Sequence, residues 1–114
     1  MPNLHRGEIE AEIGGARRRL VLTLGALAEL EAAFESEDLI ALAERFGKGR
    51  LKSRDLIRVI GAGLRGSGEA ISDDEVARLD VPGGAAGYVR IAADLITATF
   101  GGEEQDPLGR RTRA

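Results

Sequence analysis

The feature that most constrains the fold is an N-terminal segment in which side chains alternate in character around a pair of glycines. Residues 8–13 alternate glutamate with an apolar residue, and after Gly14-Gly15 leucine recurs at every second position from 20 to 24. A period of two is typical of a strand with one buried face. Two adjacent glycines supply the positive-φ positions of a tight hairpin turn. The segment therefore predicts a β-hairpin over about residues 6–24.

Charge and hydrophobicity predict the same register for this hairpin. A two-residue turn at Gly14-Gly15 sets three opposite pairs: Glu12 with Arg17, Glu10 with Arg19, and Ile9 with Leu20. Opposite charges meet on one face and large apolar side chains on the other. The arginines at 17–19 are interpreted as cross-strand partners of the glutamates rather than as a basic ligand site, with Arg18 pointing toward the apolar face or its edge.

From residue 24 the apolar residues recur at helical spacing instead. The predicted apolar stripes are Leu24, Leu27, Leu30 and Phe34; Leu39, Leu42, Ala43 and Phe46; Leu56, Ile57, Ile60 and Leu64; and Tyr88, Ile91, Ala92, Leu95 and Thr99. Such stripes predict amphipathic helices that bury one face each. Together with a short helix after residue 72, they give four or five helices over about residues 25–100.

Serines mark the starts of three of these helices. Ser36 is predicted to cap the helix over 37–46, which Gly47 ends, and Ser53 the helix that follows. Ser72 and Glu75 form the spacing of a capping box, flanked by Ile71 and Val76 at the positions of a hydrophobic staple; this is the sharpest local signal in the chain.

These elements predict an α+β fold in one small domain, with an N-terminal β-hairpin packed on a four- to five-helix bundle. The last helix, over residues 85–100, is predicted to end at Gly101-Gly102. Residues 1–101 are assigned to the domain. Residues 102–114 have almost no apolar content and several arginines, so we expect a disordered, solvated tail.

A G-x-G-x-x-G pattern at Gly61, Gly63 and Gly66 raises the possibility of a dinucleotide-binding turn. That turn requires a preceding strand and a helix that begins inside the motif. Here the preceding residues have helical spacing, and the chain is too short for repeated βαβ units. We interpret Gly61 and Gly63 as close-packing points near a helix end, with Gly66 or Gly68 able to adopt the left-handed conformation.

Composition excludes several classes of protein. The 114 residues include no cysteine, which excludes disulfides and thiolate metal sites, and carry a net charge of −3, which does not favour nucleic acid. No apolar run approaches the roughly 20 residues of a membrane span, and the N-terminus lacks the apolar region of a signal peptide. The sequence predicts a soluble cytoplasmic protein.

No constellation typical of an enzyme is present. His5, the sole histidine, lies next to the N-terminus. The acidic run at 73–75 suits a helix N-terminus better than a metal site. Glu29 and Glu31 are two positions apart on a helix, so they diverge and cannot act as a carboxylate pair. We predict no catalytic, cofactor-binding or metal-binding residue and no cofactor.

The main alternative from residues alone is DNA binding through the two helices around residue 50. Six basic residues lie between 45 and 58, against one acid: Arg45, Lys48, Arg50, Lys52, Arg54 and Arg58. The connection "GKGRLK" is longer than that of a typical helix-turn-helix, and the second helix carries few side chains that read bases. A solvated loop explains the charges equally simply.

Four segments resemble the small tail proteins of gene transfer agents, the phage-derived particles of alphaproteobacteria. They are "HRGE", "LTLGALAELE" at 22–31, "LIALAERFGKGRLKSRDLIRVIGAGLRGSGEAISDDEV" at 39–76, and "ADLITATFGG" at 93–102. The resemblance spans nearly the whole predicted domain and rests on ordered agreement rather than on a catalytic signature.

The resemblance implies a phage tail assembly chaperone, although a tail tube protein is the other description of such chains. It implies a non-enzymatic adaptor that binds the tape measure protein, and tail tube subunits, in the cytoplasm during assembly. The sequence leaves open which surface binds a partner, what the oligomeric state is, and whether the chain is released or stays in the finished tail as a structural component.

Overall fold

A computed structural model describes residues 7–34, 40–41, 44–45, 48 and 52–101. The chain begins with strands β1 (Glu8–Ile13) and β2 (Ala16–Val21). Helices α1 (Leu24–Ala33), α2 (Ser53–Gly66), α3 (Asp73–Val76) and α4 (Gly84–Ile96) follow, and a π-helical turn at Thr97–Gly101 extends α4. The predicted α+β class, a hairpin with helices in one small domain, is confirmed.

The hairpin has the predicted register. Ile9 lies opposite Leu20, Glu10 opposite Arg19 and Glu12 opposite Arg17, around Gly14 and Gly15 at φ values of 64° and 81°. The strands are shorter than predicted, because the chain leaves the sheet after Val21 to start α1. On one face of the hairpin Ile9, Ile13 and Leu20 are buried.

Helix α1 departs from its predicted stripe. Thr23 is its N-cap, with the hydroxyl accepting a hydrogen bond from the backbone N of Ala26 at 3.1 Å. This cap aims Ala26 and Leu30 at the core, whereas Leu24, the first helical residue, is 85% exposed. The prediction that Leu24 belongs to the buried stripe is wrong, because the cap fixes where the helix begins and hence which side of its first turn faces inward.

Helix α2 lies at the centre of the domain and contacts the hairpin, α1, α3 and α4. Its second half is fully buried at Val59, Ile60 and Leu64, while Leu56 and Ile57 of its first half are only half-buried. Lys52 is its N-cap, so the predicted cap, Ser53, is instead the first helical residue.

The glycines of the G-x-G-x-x-G pattern lie inside α2, as expected for close packing. A Cβ at Gly63 would lie 2.6 Å from Leu95 Cδ2 and 3.2 Å from Leu20 Cβ. A Cβ at Gly61 would meet the carboxylate of Asp73, and one at Gly66 the backbone carbonyl of Val21. Gly68 takes the left-handed conformation, at a φ of 105°, that ends the helix.

Helices α3 and α4 close the core. Ser72 and Glu75 form the predicted capping box, with Ser72 Oγ accepting from Glu75 N at 3.1 Å and Glu75 Oε1 accepting from Ser72 N at 2.9 Å. Val76 is fully buried and Ile71 packs against the core. The predicted stripe of α4 is confirmed by the burial of Ile91, Ala92 and Leu95.

Some predictions fall outside the described residues. Ile40, Ala41, Glu44 and Arg45 are helical, in agreement with a helix over 37–46. Its cap at Ser36 and its end at Gly47 lie outside the described residues, and so do Gly102 and the tail predicted for 102–114.

Candidate interaction surfaces

The basic residues around position 50 divide into two groups. Arg45 donates from Nη1 to Asp55 Oδ2 at 2.7 Å, and Arg58 donates from Nη1 to the carbonyl of Ala33 at 2.7 Å. Both guanidinium groups also lie 5.7 Å from the centre of the Phe34 ring, at cation–π distance. Arg58 therefore connects α2 to the end of α1, and Arg45 connects α2 to the helical residues 44–45.

Asp55 is the acceptor for Arg45 in this arrangement. It is the one buried charged residue among the described residues, at 5% exposed, and it also accepts a hydrogen bond from the backbone N of Lys52 at 3.2 Å. Asp55 thus satisfies one free donor at the start of α2 and neutralises Arg45 at the same time. Sequence reasoning missed this role; an acid three residues after a helix N-cap is the signal that could have shown it.

The remaining described basic residues of this region face solvent. Lys48, Lys52 and Arg54 are exposed, and Arg50 lies outside the described residues. Because Arg45 and Arg58 are engaged within the protein, the cluster of six cations that suggested a DNA contact is not a continuous free patch. The geometry therefore weakens the DNA-binding alternative.

Arg65 joins three elements at the other end of α2. Its guanidinium donates to both carboxylate oxygens of Glu29, at 2.6–3.3 Å, and to the carbonyl of Ile71 at 2.9 Å, and it lies 3.0 Å from Asp73 Oδ1. The hydrogen bond to Glu29 is the main cause that raises the pKa of Arg65. A shallow concavity of about 470 Å³ lies over this group.

This arrangement explains the acidic residues considered as catalytic or metal-binding candidates. Glu29 is bound by Arg65 rather than paired with Glu31, and Asp73 and Glu75 serve the ion pair and the capping box. No group of three or more metal-ligating side chains occurs in the ranges that the structure describes. His5 lies outside those ranges.

A further ion pair joins the hairpin to the connection between α2 and α3. Arg18 donates from Nη1 to Glu69 at 2.6 Å and from Nε to the carbonyl of Ile13 at 2.8 Å. Its side chain is 22% exposed, so it points toward the apolar side of the hairpin, as predicted. The partner, 51 positions along the chain, could not be found from local pattern.

An apolar groove opens between α2, α3 and α4. It has a volume of about 210 Å³ and is lined by Ser53, Leu56, Ile57, Ala77, Ala85 and Tyr88. The Tyr88 hydroxyl donates to the carbonyl of Leu79. Burial, which penalises the phenolate, raises the pKa of Tyr88, so the hydroxyl stays a neutral donor at physiological pH. The groove therefore has an apolar lining, and the hydrogen bond to Leu79 holds the Tyr88 ring in place on one side of it.

The outer face of the hairpin is charged. Arg17 pairs with Glu10, with Nη2 3.2 Å from Oε1, rather than with Glu12, which lies directly opposite it. The backbone register agrees with the prediction, but the long arginine side chain reaches the diagonal carboxylate instead. Glu12 and Arg19 are also exposed.

Comparison with known families shows which family the chain belongs to. A family model described as phage tail tube protein, GTA-gp10, matches residues 6–102. The chain belongs to this phage tail tube family. The resemblance to gene transfer agent tail proteins is thereby confirmed over nearly the whole predicted domain. No curated protein and no solved structure matches the chain.

Membership in a phage tail family makes other phage-like tail proteins the natural partners of this chain. Such a family is structural and is not normally enzymatic. Among the described helices, none is long and apolar enough to cross a membrane.

Proposed function

We propose that this protein is a non-enzymatic adaptor in the assembly of a gene transfer agent tail. It binds the tape measure protein, and tail tube subunits, in the cytoplasm while the tail is built. Membership in the phage tail tube family supports a role in the tail.

The observation that carries the proposal is the apolar groove beside the first half of α2. Leu56 and Ile57 continue the helical stripe that forms the core, but they are only half-buried and line the groove. A tape measure is a long, largely helical chain, and its apolar stripes need cover before the tube encloses them. A groove of this kind receives apolar side chains from one face of such a helix.

Co-purification tests this proposal. The protein is expressed with the tape measure protein encoded nearby and isolated through a tag on the tape measure, at about 150 mM salt, where exposed charges are screened beyond about 8 Å. Ile57→Ser is expected to lower recovery at least tenfold, because a polar side chain replaces an apolar wall of the groove. Val89→Ser is the matched control, since Val89 is 39% exposed and does not line the groove.

Thermal melts of both variants separate lost binding from lost folding. Equal recovery of the wild type and Ile57→Ser, with both proteins folded, contradicts the groove as the binding surface. Absence of any complex between the wild type and the tape measure contradicts the adaptor role itself.

A structural role in the tail tube is the second candidate, and the family description favours it. An adaptor leaves the tail as assembly ends, whereas a tube component is retained in fixed proportion. Quantitative mass spectrometry of purified particles distinguishes the two roles. Retention of many copies per particle overturns the adaptor in favour of the tube component.

DNA binding is tested in parallel by a gel shift with duplex DNA at the same salt concentration. A phosphate-mediated complex weakens steeply with salt, with a slope of about −0.9 in log K against log salt for each neutralised phosphate. The adaptor is expected to show no complex. A salt-sensitive DNA complex without a tape measure complex would replace the adaptor with a DNA-binding function.

A further inference from the structure

The apolar groove lies at one end of two helices that run in the same direction. Gly63 of α2 packs against Leu95 of α4, since a Cβ at Gly63 would lie 2.6 Å from Leu95 Cδ2. About two turns earlier in both helices, Ile57 and Tyr88 line the groove. The groove is therefore formed by the N-terminal turns of α2 and α4, with Ala77 at the end of α3 beside them.

Two exposed cations flank this groove on the α2 side. Lys52 lies one turn before Leu56, and Arg54 one turn before Ile57, at the spacings that place side chains on the same side of a helix. In the part of the chain that the structure describes, neither cation forms an ion pair with a carboxylate. Both charges are therefore open to a partner that reaches the groove.

The described acidic residues near the groove do not offset these two charges. Asp55, in the first turn of α2, is buried and bound to Arg45. The first turn of α4 carries no acidic side chain. Asp80 lies at the connection between α3 and α4, where its charge adds to the effect of burial in raising the pKa of Tyr88. The rim formed by α2 is therefore positively charged.

The size and the walls of the groove indicate the kind of partner. Its volume of about 210 Å³ is below the roughly 300 Å³ at which small-molecule sites begin. The walls are helical, so they offer no sheet edge to which an extended strand could add. Ala85 and Ala86 of α4 are small and exposed, which lets a second helix approach closely. The groove therefore suits apolar side chains that project from one face of a helix.

We propose that the groove binds an acidic amphipathic helix of the tape measure protein, in which glutamate or aspartate side chains flank the apolar side chains that enter the groove. The apolar side chains contact Leu56 and Ile57, and the carboxylates meet Lys52 and Arg54 at the rim. Charges at a rim select a partner more than they strengthen the complex, so a basic helix with the same apolar pattern is excluded. This inference rests on the proposed function and adds the charge of the segment that is bound.

Peptides from the tape measure protein test the charge of the bound segment. Overlapping peptides of about 20 residues, long enough for a helix of roughly 30 Å, are titrated against the intact protein by fluorescence anisotropy at about 150 mM salt. The peptides that bind are expected to combine an apolar stripe at helical spacing with flanking acidic residues. Replacing those acidic residues with lysine should lower the affinity by about tenfold or more, because like charges then meet at the rim.

Charge reversal in the protein gives the complementary test. Lys52→Glu/Arg54→Glu should weaken binding of the acidic peptide by about tenfold, and it should bind the lysine-substituted peptide better than the wild type does. Misfolding does not explain that exchange, since the variant gains a ligand. Arg90→Glu is the matched control for Arg54→Glu, because Arg90 is exposed on α4 but does not line the groove. Arg54→Glu alone should weaken binding by about threefold, and Arg90→Glu by less than about twofold.

Three results would overturn the proposal, and they differ in what they leave standing. Equal binding of the acidic and lysine-substituted peptides, with loss of both in Ile57→Ser, keeps the adaptor role and removes the charge preference. Acidic peptides without an apolar stripe that bind equally well assign the cations to a general anion-binding surface instead of the groove. A tape measure protein that fails to bind the wild type, both whole and as peptides, overturns the proposed function together with this inference.

Discussion

The two halves of α2 lie in one continuous helix but serve different purposes. Val59–Leu64 is buried, and Gly61, Gly63 and Gly66 lie where α3, α4 and the hairpin come close. Ser53–Arg58 is held by polar contacts through Asp55 and Arg58, and its apolar residues remain half-exposed. A single amphipathic stripe can therefore supply both the core and an open apolar groove, depending on what packs above it.

The largest effect on stability is expected from a larger side chain in the tightly packed second half of α2. Gly63→Val introduces a branched side chain where even a Cβ would lie 2.6 Å from Leu95 Cδ2. We expect the free energy of unfolding to fall by about 3 kcal/mol, measured by urea denaturation.

Gly25→Ala is the control for this prediction. Gly25 lies in α1, where a Cβ would meet only Thr23 Oγ1 at 3.8 Å, so alanine should stabilise the helix by about 0.5 kcal/mol. Equal effects of the two substitutions would contradict the tight packing of the second half of α2.

The next largest effect on stability is expected in the first half of α2, which is held by polar contacts. Asp55→Ala removes the carboxylate to which Arg45, whose side chain is 22% exposed, donates, and frees the backbone N–H of Lys52. A loss of about 2 kcal/mol in the free energy of unfolding is expected, below the cost for a fully buried pair. In a double-mutant cycle, Arg45→Ala/Asp55→Ala should lose less than the sum of the single variants. Strict additivity would show that the pair does not hold the two segments together.

A smaller effect is expected at α3, which supplies the carboxylate that meets Gly61. Ser72→Ala removes the cap of this helix and should lower the free energy of unfolding by about 1 kcal/mol, shown by a lower melting midpoint. An unchanged midpoint would mean that the observed capping box contributes nothing.

The same box predicts a pH dependence. Hydrogen bonds from Ser72 lower the pKa of Glu75 in the folded state. A lowered folded pKa contributes stability above the unfolded value, near 4.5, and that contribution is lost as pH falls through the folded value. The stability difference between the wild type and Glu75→Gln should therefore shrink below about pH 4.5. A difference that grows on acidification would have the wrong sign.

The smallest effect on stability is expected on the exposed side of the first half of α2. Arg54 lies in the first turn of α2 and is exposed. Arg54→Ala should change the free energy of unfolding by less than about 0.5 kcal/mol. Neither the wild type nor this variant is expected to form a duplex DNA complex in the gel shift. A wild-type complex that Arg54→Ala weakens would return the exposed cations to a functional role.

Local patterns predicted the parts of the fold that local chemistry determines. The register of the hairpin follows from its turn length and paired charges, and the start of α3 from the Ser72 box, because both depend on residues close in sequence. The exposure of Leu24 could not be predicted. The spacing of apolar residues gives the period of a helix, but it does not show which of them face the core at the first turn. Arg18 with Glu69, and Arg65 with Glu29, depend on the final packing of distant segments.

The groove was predictable only in part. The stripe of Leu56 and Ile57 is readable from the sequence, but whether α1, α3 or α4 covers it depends on tertiary arrangement. The sequence therefore indicated an apolar face without showing that it stays open. The charged outer face of the hairpin, in contrast, follows directly from the predicted register.

The N-terminal end of β1 contacts the C-terminal end of the described domain. A Cβ at Gly7 would lie 3.4 Å from the carbonyl O of Ala98 and 3.5 Å from Thr99 Cα. The polypeptide thus enters and leaves the domain at one place, the geometry that permits circular permutation. A short linker across this junction should therefore join the two ends of the described domain without distorting the fold. The same geometry makes the domain a suitable insert for a surface loop of another protein.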